Sequence, residues 1–307
     1  MSVNLSAKGK KEEGRAATAP QRGVSASPAS VAVRVLLHHR AGMAGLVITL
    51  LLVIVALLAP SLVPHGAMEM HAQDRLAEPS RLYLFGTDEF GRDIFSRVLM
   101  GSRISLSVGL ISIGIASVVG VTVGSIAGYA CGWFETVTMR IADTLLAFPA
   151  MLLAIVIIAV LGPGAINALL AIAIVNLPAF ARLARANVLA EKCKDYVEAS
   201  RALGATHTRI LFINILPNTL STVLVQVTVS VGSAVLLEAA LSFLGLGPPP
   251  TEPSWGSMLS IGRGFLGQAW WYGVFPGIAL MLLVMGLYLL GDGLSDALDP
   301  RQQQKTH

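Results

Sequence analysis

The sequence predicts an all-α integral membrane protein with six transmembrane helices, and its composition, its apolar runs and its basic residues together predict this fold class. Hydrophobic residues make up 54% of the 307 residues and charged residues 13%, and the mean hydropathy is +0.69. A soluble globular chain carries about 25% charged residues, and a charge within hydrocarbon is costly. The composition therefore indicates a chain that lies mostly in a lipid bilayer.

Six apolar runs are long enough to cross a bilayer, which takes about 20 mostly apolar residues. The first run covers residues 41–63. A secretory signal peptide is the alternative, but the run is too long, begins well inside the chain and is followed by no small-residue cleavage site. We therefore predict an uncleaved first span. The other predicted spans cover residues 104–129, 144–161, 166–184, 218–241 and 272–290.

The basic residues predict the orientation, because loops rich in Lys and Arg stay on the cytoplasmic side. Residues 1–40 carry seven basic and two acidic residues. We interpret them as a disordered cytoplasmic tail rather than a nucleic-acid-binding arm, since no aromatic or helical scaffold accompanies them. Six spans then place the C-terminal tail (293–307) and the loop 185–217 on the same side. The segment 64–103, called the outer segment below, lies outside; its five arginines oppose this orientation, although six acidic residues accompany them.

Catalytic and metal-binding patterns are absent from the sequence. It contains no G-x-x-x-x-G-K-[ST] phosphate loop and no H-E-x-x-H or G-x-S-x-G site. Cys131 and Cys193 have no metal-ligand or disulfide spacing, and His65 and His71 lack further ligands. We therefore expect that the chain is not an enzyme, hydrolyses no ATP itself and binds no metal or cofactor.

A stripe of small residues marks one face of the second predicted span. Gly120, Gly124 and Gly128 stand four residues apart. Small residues on one face let the backbones of membrane helices approach closely. The stripe therefore predicts a face against which another span packs.

The loop between the fourth and fifth spans predicts a pair of short helices, called the knuckle below (residues 195–217). Its first helix ends at Gly204, since glycine adopts the left-handed conformation at little cost. Thr206 can cap a second helix from His207 to about Leu216. Pro217 suits a turn where the next span begins. The alternative is an amphipathic loop that lies on the lipid surface.

The knuckle resembles the EAA motif of bacterial ABC importer permeases. The residues that carry the resemblance are Glu198, Ala199, Ser200, Gly204, Ile210, Asn214 and Pro217. Ser200 stands where the motif usually has alanine. The resemblance implies a type I ABC importer permease fold, with residues 104–292 as the permease core. It also implies that the two short helices dock into a groove on an ATPase subunit and transmit its closure to the spans.

Further segments resemble the C-type subunit of dipeptide, oligopeptide and nickel permeases. The outer-segment motif lies within residues 85–97 and comprises Gly86, Thr87, Asp88, Gly91, Arg92 and Asp93. Four more segments resemble the same subunit, namely residues 147–149, 241–247, 253–256 and 291–300. The resemblance covers about residues 80–300. Asp88 and Arg92 can also form an i,i+4 pair worth about a few tenths of a kcal/mol, which would orient the outer segment or meet a binding protein.

The resemblance implies an assembly and a location. The partners are a homologous B-type permease subunit, two ABC ATPase subunits that carry ATP and Mg, and an extracytoplasmic substrate-binding protein. The location is the bacterial inner membrane, with both termini cytoplasmic. The implied cargo is di- or oligopeptides, with glutathione or nickel as alternatives.

Glu238 is the acidic residue predicted to lie deepest within a span. It is a candidate for lining the translocation pathway, and the alternative is a structural partner for a serine or a backbone amide. A secondary transporter driven by ions would need paired ionisable groups near the membrane midplane and inverted repeats. The sequence shows neither, so this class of transporter is disfavoured.

Overall fold

The computed structural model describes residues 39–249 and 251–298. The predictions for residues 1–38 and 299–307 lie outside the described residues. Short 3₁₀ turns cover Ala72–Asp74 and Arg263–Phe265. The helices are α1 (Arg40–Leu62), α2 (Ile94–Ala130), α3 (Gly132–Leu146), α4 (Ala150–Leu161), α5 (Ala165–Lys192), α6 (Asp195–Ala202), α7 (His207–Phe243), α8 (Trp255–Gly262) and α9 (Trp271–Leu298).

Five helices, α1, α2, α5, α7 and α9, are long and apolar enough to cross a membrane. They confirm the all-helical fold class and five of the predicted spans. Between α2 and α5, in the region of the remaining predicted span, the chain forms two helices, α3 and α4, which meet at a bend of 96°.

This bend means that the predicted span 144–161 is not a single helix. Proline disfavours helical backbone in the residue before it, and α3 accordingly ends before Pro149 while α4 begins after it. α4 alone has 12 residues. At 1.5 Å per residue it is about 18 Å long, against about 30 Å of hydrocarbon. Lys192 at the end of α5 donates to the carbonyl of Tyr129 near the end of α2, so α5 starts at the opposite end of the bundle and the bent pair connects the two ends.

Three helices extend well beyond the predicted spans. α2 begins at Ile94, inside the outer segment, because the Asp93 carboxylate accepts hydrogen bonds from the backbone N–H groups of Phe95 and Ser96. α5 continues to Lys192 rather than residue 184. α9 continues to Leu298, so residues 293–298 are helical rather than part of a tail. Hydropathy marks the apolar part of a helix, whereas caps and side-chain partners set its ends.

The predicted turn at Pro217 is wrong, because the second knuckle helix continues into the span. α7 contains an α-helical turn (His207–Arg209), a π-helical stretch (Ile210–Ile215) and a long α-helix (Leu216–Phe243). The Leu216 N–H bonds to the carbonyl of Leu211, five residues earlier. Because proline lacks an N–H and its ring clashes with a carbonyl four residues back, the wider turn accommodates Pro217.

The packing of α2 against α5 follows the glycine stripe, which confirms the predicted face. A Cβ on Gly120 would lie 2.7 Å from the Leu177 carbonyl oxygen, and one on Gly128 would lie 2.9 Å from that of Arg185. A Cβ on Gly124 would overlap the Ala181 carbonyl. Only glycine at these three positions permits this approach of the two backbones.

Two ends of the bundle can be distinguished. Residue 39 and the end of α9 lie at the knuckle end, where His39 Nε2 is 3.3 Å from Asp296 Oδ2. The outer segment lies at the other end, where Trp271 at the start of α9 donates to the Thr87 carbonyl at 3.3 Å. α8 also packs at this end, with buried Trp255 donating to the Val98 carbonyl at 2.9 Å.

Candidate functional site

The first knuckle helix, α6, ends in the geometry that its sequence predicts. Gly204 has φ +80°. Its N–H bonds to the Arg201 carbonyl at 3.0 Å, and the Ala205 N–H bonds to the Ser200 carbonyl at 3.1 Å. This pair of bonds is the Schellman pattern, which requires a left-handed residue at the position that Gly204 occupies. The predicted helix end at Gly204 is therefore confirmed.

The second knuckle helix begins at the predicted cap and packs on a small apolar core. The Thr206 hydroxyl accepts from the Arg209 N–H at 3.4 Å, which confirms the cap. Fully buried Val197 and Ile210 pack with residues of α5 and α7, namely Val188, Leu211 and Ile215. Ile210 is therefore a packing residue, and this core argues against a loop spread on a lipid surface.

Two of the predicted knuckle residues bind each other. Asn214 Nδ2 donates to Ser200 Oγ at 2.8 Å, and Ser200 Oγ donates to the Tyr196 carbonyl at 2.8 Å. The serine that replaces the usual alanine thus joins α6 to the π-helical stretch of α7.

The tip of the knuckle is exposed. Glu198 and Ala199 face solvent, as does Gly204. Leu203 is 88% exposed, and three nearby residues in the sequence, Arg201, His207 and Arg209, are exposed as well. These exposed apolar and basic side chains, on a helix pair held by its own core, are available for contact with a partner protein.

The knuckle is also joined to α2 by residues that sequence reasoning missed. Tyr129 Oη is 2.9 Å from His207 Nδ1. Lys192 Nζ donates to the Tyr129 carbonyl at 2.9 Å and lies 5.6 Å from the centre of the Tyr129 ring. These residues are far apart in sequence, so no periodicity or spacing signals the contact.

The outer-segment motif contains a buried ion pair. Arg92 Nε lies 2.6 Å from Asp88 Oδ2, and their side chains are 3% and 0% exposed. Asp88 Oδ1 accepts from the N–H groups of Phe90 and Arg92, and Arg97 Nε lies 3.6 Å from Asp88 Oδ2. The expectation of a few tenths of a kcal/mol is therefore wrong, because it applies to exposed helix pairs.

The other motif residues fold the outer segment against α2 and α9. Gly86 and Gly91 both have φ +74°, and a Cβ on Gly86 would lie 2.6 Å from Trp271 Nε1. The Thr87 hydroxyl accepts from the Ala77 N–H at 2.8 Å, while Thr87 and Asp93 form a β-bridge. The motif thus orients the outer segment, as one of the two predicted roles requires.

Glu238 is fully buried. Its carboxylate accepts from Ser105 on α2 at 3.1 Å and from Ser242 on α7 at 2.7 Å. This geometry favours the structural alternative over the pathway-lining role. Ser242 in turn borders a cleft of about 580 Å³ at the outer-segment end, lined by small residues such as Gly164, Gly245, Ser257 and Ser260.

Comparison with known proteins identifies the family. Residues 120–304 match the binding-protein-dependent transport system inner membrane component, and residues 27–79 match the N-terminal TM domain of oligopeptide transport permease C.

The chain is 45% identical to the dipeptide transport system permease protein of Alkalihalophilus pseudofirmus, covering 90% of this chain and 91% of the relative. It is 45% identical to the di/tripeptide transport system permease protein of Pseudomonas aeruginosa, covering 86% and 89%. It is also 45% identical to the glutathione transport system permease protein of Pectobacterium atrosepticum, covering 87% and 89%.

Among solved structures, the fold resembles a chain of the MetNI methionine ABC transporter in an inward-facing conformation. The TM-score is 0.54 and the identity 21%, over 66% of this chain and 96% of that one. This similarity supports the type I permease fold. The buried outer-segment motif and the knuckle packed on its own core agree with these matches. The chain therefore belongs to the family of binding-protein-dependent transport system inner membrane components, as an ABC importer permease of the peptide family.

Proposed function

We propose that this chain is the C-type permease subunit of an importer for short peptides and that its knuckle receives the movement of a separate ATPase subunit. The similarity to peptide-transport permeases supports the subunit type and cargo, and the exposed Leu203 tip on a helix pair packed against the spans carries the coupling role. A knuckle that docks into a partner needs an exposed contact surface at its tip. A knuckle that transmits movement must also be packed firmly against the spans that it moves. The knuckle has both.

The knuckle end is proposed to face the cytoplasm. Basic residues at this end, including Arg185, Lys192 and Arg201, favour that side. Of the five arginines of the outer segment, Arg92 and Arg97 are buried beside Asp88. Basic residues in an outer segment count against this orientation, and the burial of these two arginines beside an acid makes that argument weaker.

The assembly that this function requires has four further subunits. A homologous B-type permease subunit completes the pathway, two ATPase subunits carry ATP and Mg, and an extracytoplasmic binding protein delivers the cargo. Closure of the ATPases moves the knuckle, and the spans change from inward- to outward-facing. This chain supplies half of the pathway and no catalytic residue.

Short peptides are the proposed cargo, and glutathione is the second candidate. Relatives named for dipeptide, di/tripeptide and glutathione transport are equally similar to the chain, at 45% identity. Competition between a labelled dipeptide and unlabelled glutathione, measured in vesicles that contain the whole transporter and its binding protein, separates the two.

The docking role is tested by replacing Leu203 with aspartate in the complete transporter. We expect the Leu203→Asp variant to lose its ATPase subunits during purification and to lose uptake. Leu82→Asp is the matched control, because Leu82 is 63% exposed in the outer segment at the opposite end. Retention of the ATPases and normal uptake by Leu203→Asp would contradict the proposal.

A further inference from the structure

The Tyr196 hydroxyl joins three helices at the base of the knuckle. It donates to Glu191 Oε2 at 2.7 Å and accepts from Asn218 Nδ2 at 3.1 Å. Glu191 belongs to the last turn of α5, and Asn218 lies at the start of the long α-helical part of α7. Tyr196 itself belongs to α6. One oxygen atom therefore connects the first knuckle helix to both spans that flank the knuckle.

The apolar core also touches α5, α6 and α7, but the other described side-chain hydrogen bonds of the knuckle reach fewer elements. The Ser200–Asn214 bond joins α6 to α7, and the Tyr129–His207 contact joins α7 to α2. Neither of them includes α5. Among the described side-chain hydrogen bonds of α6, those of the Tyr196 hydroxyl join it to both flanking spans.

The local chemistry keeps this hydroxyl available as a donor. Burial and the hydrogen bond to Glu191 raise the pKa of Tyr196, so its proton stays in place at neutral pH. Glu191 also accepts from Lys194, which fixes the carboxylate beside the hydroxyl. The aromatic ring packs on the knuckle core that contains Val197, so the ring is held independently of the hydroxyl.

We propose that the Tyr196 hydroxyl is a positioning group for coupling, because it fixes the ends of α5 and α7 to α6 so that a displaced knuckle moves both spans together. This inference rests on the docking role proposed above for the knuckle. Without the hydroxyl, α6 keeps its core contacts and its exposed tip. Apolar contacts with α5 and α7 remain, but the directional hydrogen bonds that fix the ends of both spans to α6 are lost, so less of a movement of the tip reaches the spans.

The test uses the Tyr196→Phe variant of the complete transporter in vesicles that contain its binding protein. ATP hydrolysis and peptide uptake are measured in the same sample. We expect the ATPase subunits to remain bound and uptake per ATP to fall by about fivefold, the equilibrium shift that corresponds to one typical hydrogen bond. Tyr288→Phe, which removes a hydroxyl within α9, is the matched control and should keep the wild-type ratio.

The partners of the hydroxyl give an independent measurement. Glu191→Ala and Asn218→Ala should each lower uptake per ATP, and neither should lower it further in the Tyr196→Phe background, because residues in one network are not additive. Glu191→Gln keeps an acceptor oxygen, so its uptake per ATP should be much closer to the wild-type value than that of Glu191→Ala. A purely structural role would lower the amount of assembled complex while leaving uptake per ATP unchanged, and that result would overturn the inference.

The two proposals fail in different ways. If the docking role is wrong, Leu203→Asp keeps its ATPases and its uptake. If only the present inference is wrong, Leu203→Asp loses its ATPases while Tyr196→Phe keeps the wild-type ratio.

Discussion

Arg92 Nε lies 2.6 Å from Asp88 Oδ2 in a site where both side chains are almost fully buried. Asp88 faces Arg92 and Arg97, and without the Asp88 charge, Glu89, 3.6 Å from Arg92, is left beside two buried arginines, an arrangement that is strongly destabilising. We therefore expect Asp88→Asn to lower the free energy of unfolding by about 3–5 kcal/mol, measured by denaturant titration of the detergent-solubilised protein.

The control for this prediction is an exposed ion pair elsewhere in the chain. Arg182 Nη2 lies 2.6 Å from Asp143 Oδ1, with side chains 53% and 57% exposed. Exposed pairs contribute about 0–1 kcal/mol, so Asp143→Asn should have little effect. Equal decreases in the free energy of unfolding of the two variants would show that burial of the Asp88–Arg92 pair does not add to its stabilising effect.

Gly204 should be needed for coupling rather than for membrane insertion. Nothing lies within 4 Å of a Cβ built at this position, so a side chain there meets no steric clash. The left-handed conformation costs a residue with a Cβ about 1–2 kcal/mol, and a β-branched side chain suits it least. We expect Gly204→Val to insert normally but to hydrolyse ATP without matching uptake.

This prediction is tested by measuring the amount of the variant in the membrane by immunoblot, together with ATP hydrolysis and uptake. Gly264→Val is the control, since Gly264 also has open space around a Cβ but lacks a positive φ. Normal uptake by Gly204→Val would contradict the coupling role that we propose for this turn.

The glycine stripe predicts a sharp difference between two alanine variants of α2. A Cβ on Gly124 would overlap the backbone carbonyl of Ala181, whereas one on Gly114 meets nothing within 4 Å. Overpacking typically costs about 1–3 kcal/mol. Gly124→Ala should therefore lower the thermal midpoint and Gly114→Ala should not; the reverse order would exclude close packing of α2 on α5.

Glu238 should tolerate glutamine. Its two described partners are serine hydroxyls, which can also accept from an amide. We expect Glu238→Gln to keep assembly and uptake near the wild-type level, whereas Glu238→Ala leaves the hydroxyls of Ser105 and Ser242 without this partner and lowers stability. A loss of uptake in a stable Glu238→Gln variant would restore the pathway-lining role.

The sequence was sufficient for the fold class, because 20-residue apolar runs and a glycine stripe are local patterns. It was also sufficient for the end of α6 at Gly204 and the cap at Thr206, which follow from the conformations of single residues. It missed the start of α2 at Ile94, because hydropathy does not register the cap that the adjacent Asp93 supplies.

The same limit applies to the candidate site. Asp88 is buried beside Arg97 of α2 and follows Thr87, whose carbonyl accepts from Trp271 of α9, and no spacing within residues 85–97 reveals the contact with α9. The Tyr129–His207 contact joins positions 78 apart. For Glu238 the sequence left two interpretations open, a pathway-lining group and a structural partner for a serine, and the hydrogen bonds from Ser105 and Ser242 favour the second.

The uninterrupted course of α7 has a mechanical consequence. Its 37 residues form a rod about 55 Å long at 1.5 Å per residue, with the knuckle at one end and the cleft beside Ser242 at the other. A flexible turn at Pro217 would have absorbed a push at the tip. In the proposed coupling, a stiff helix instead carries a tilt at the knuckle to the outer-segment end of the bundle, where the cleft beside Ser242 lies.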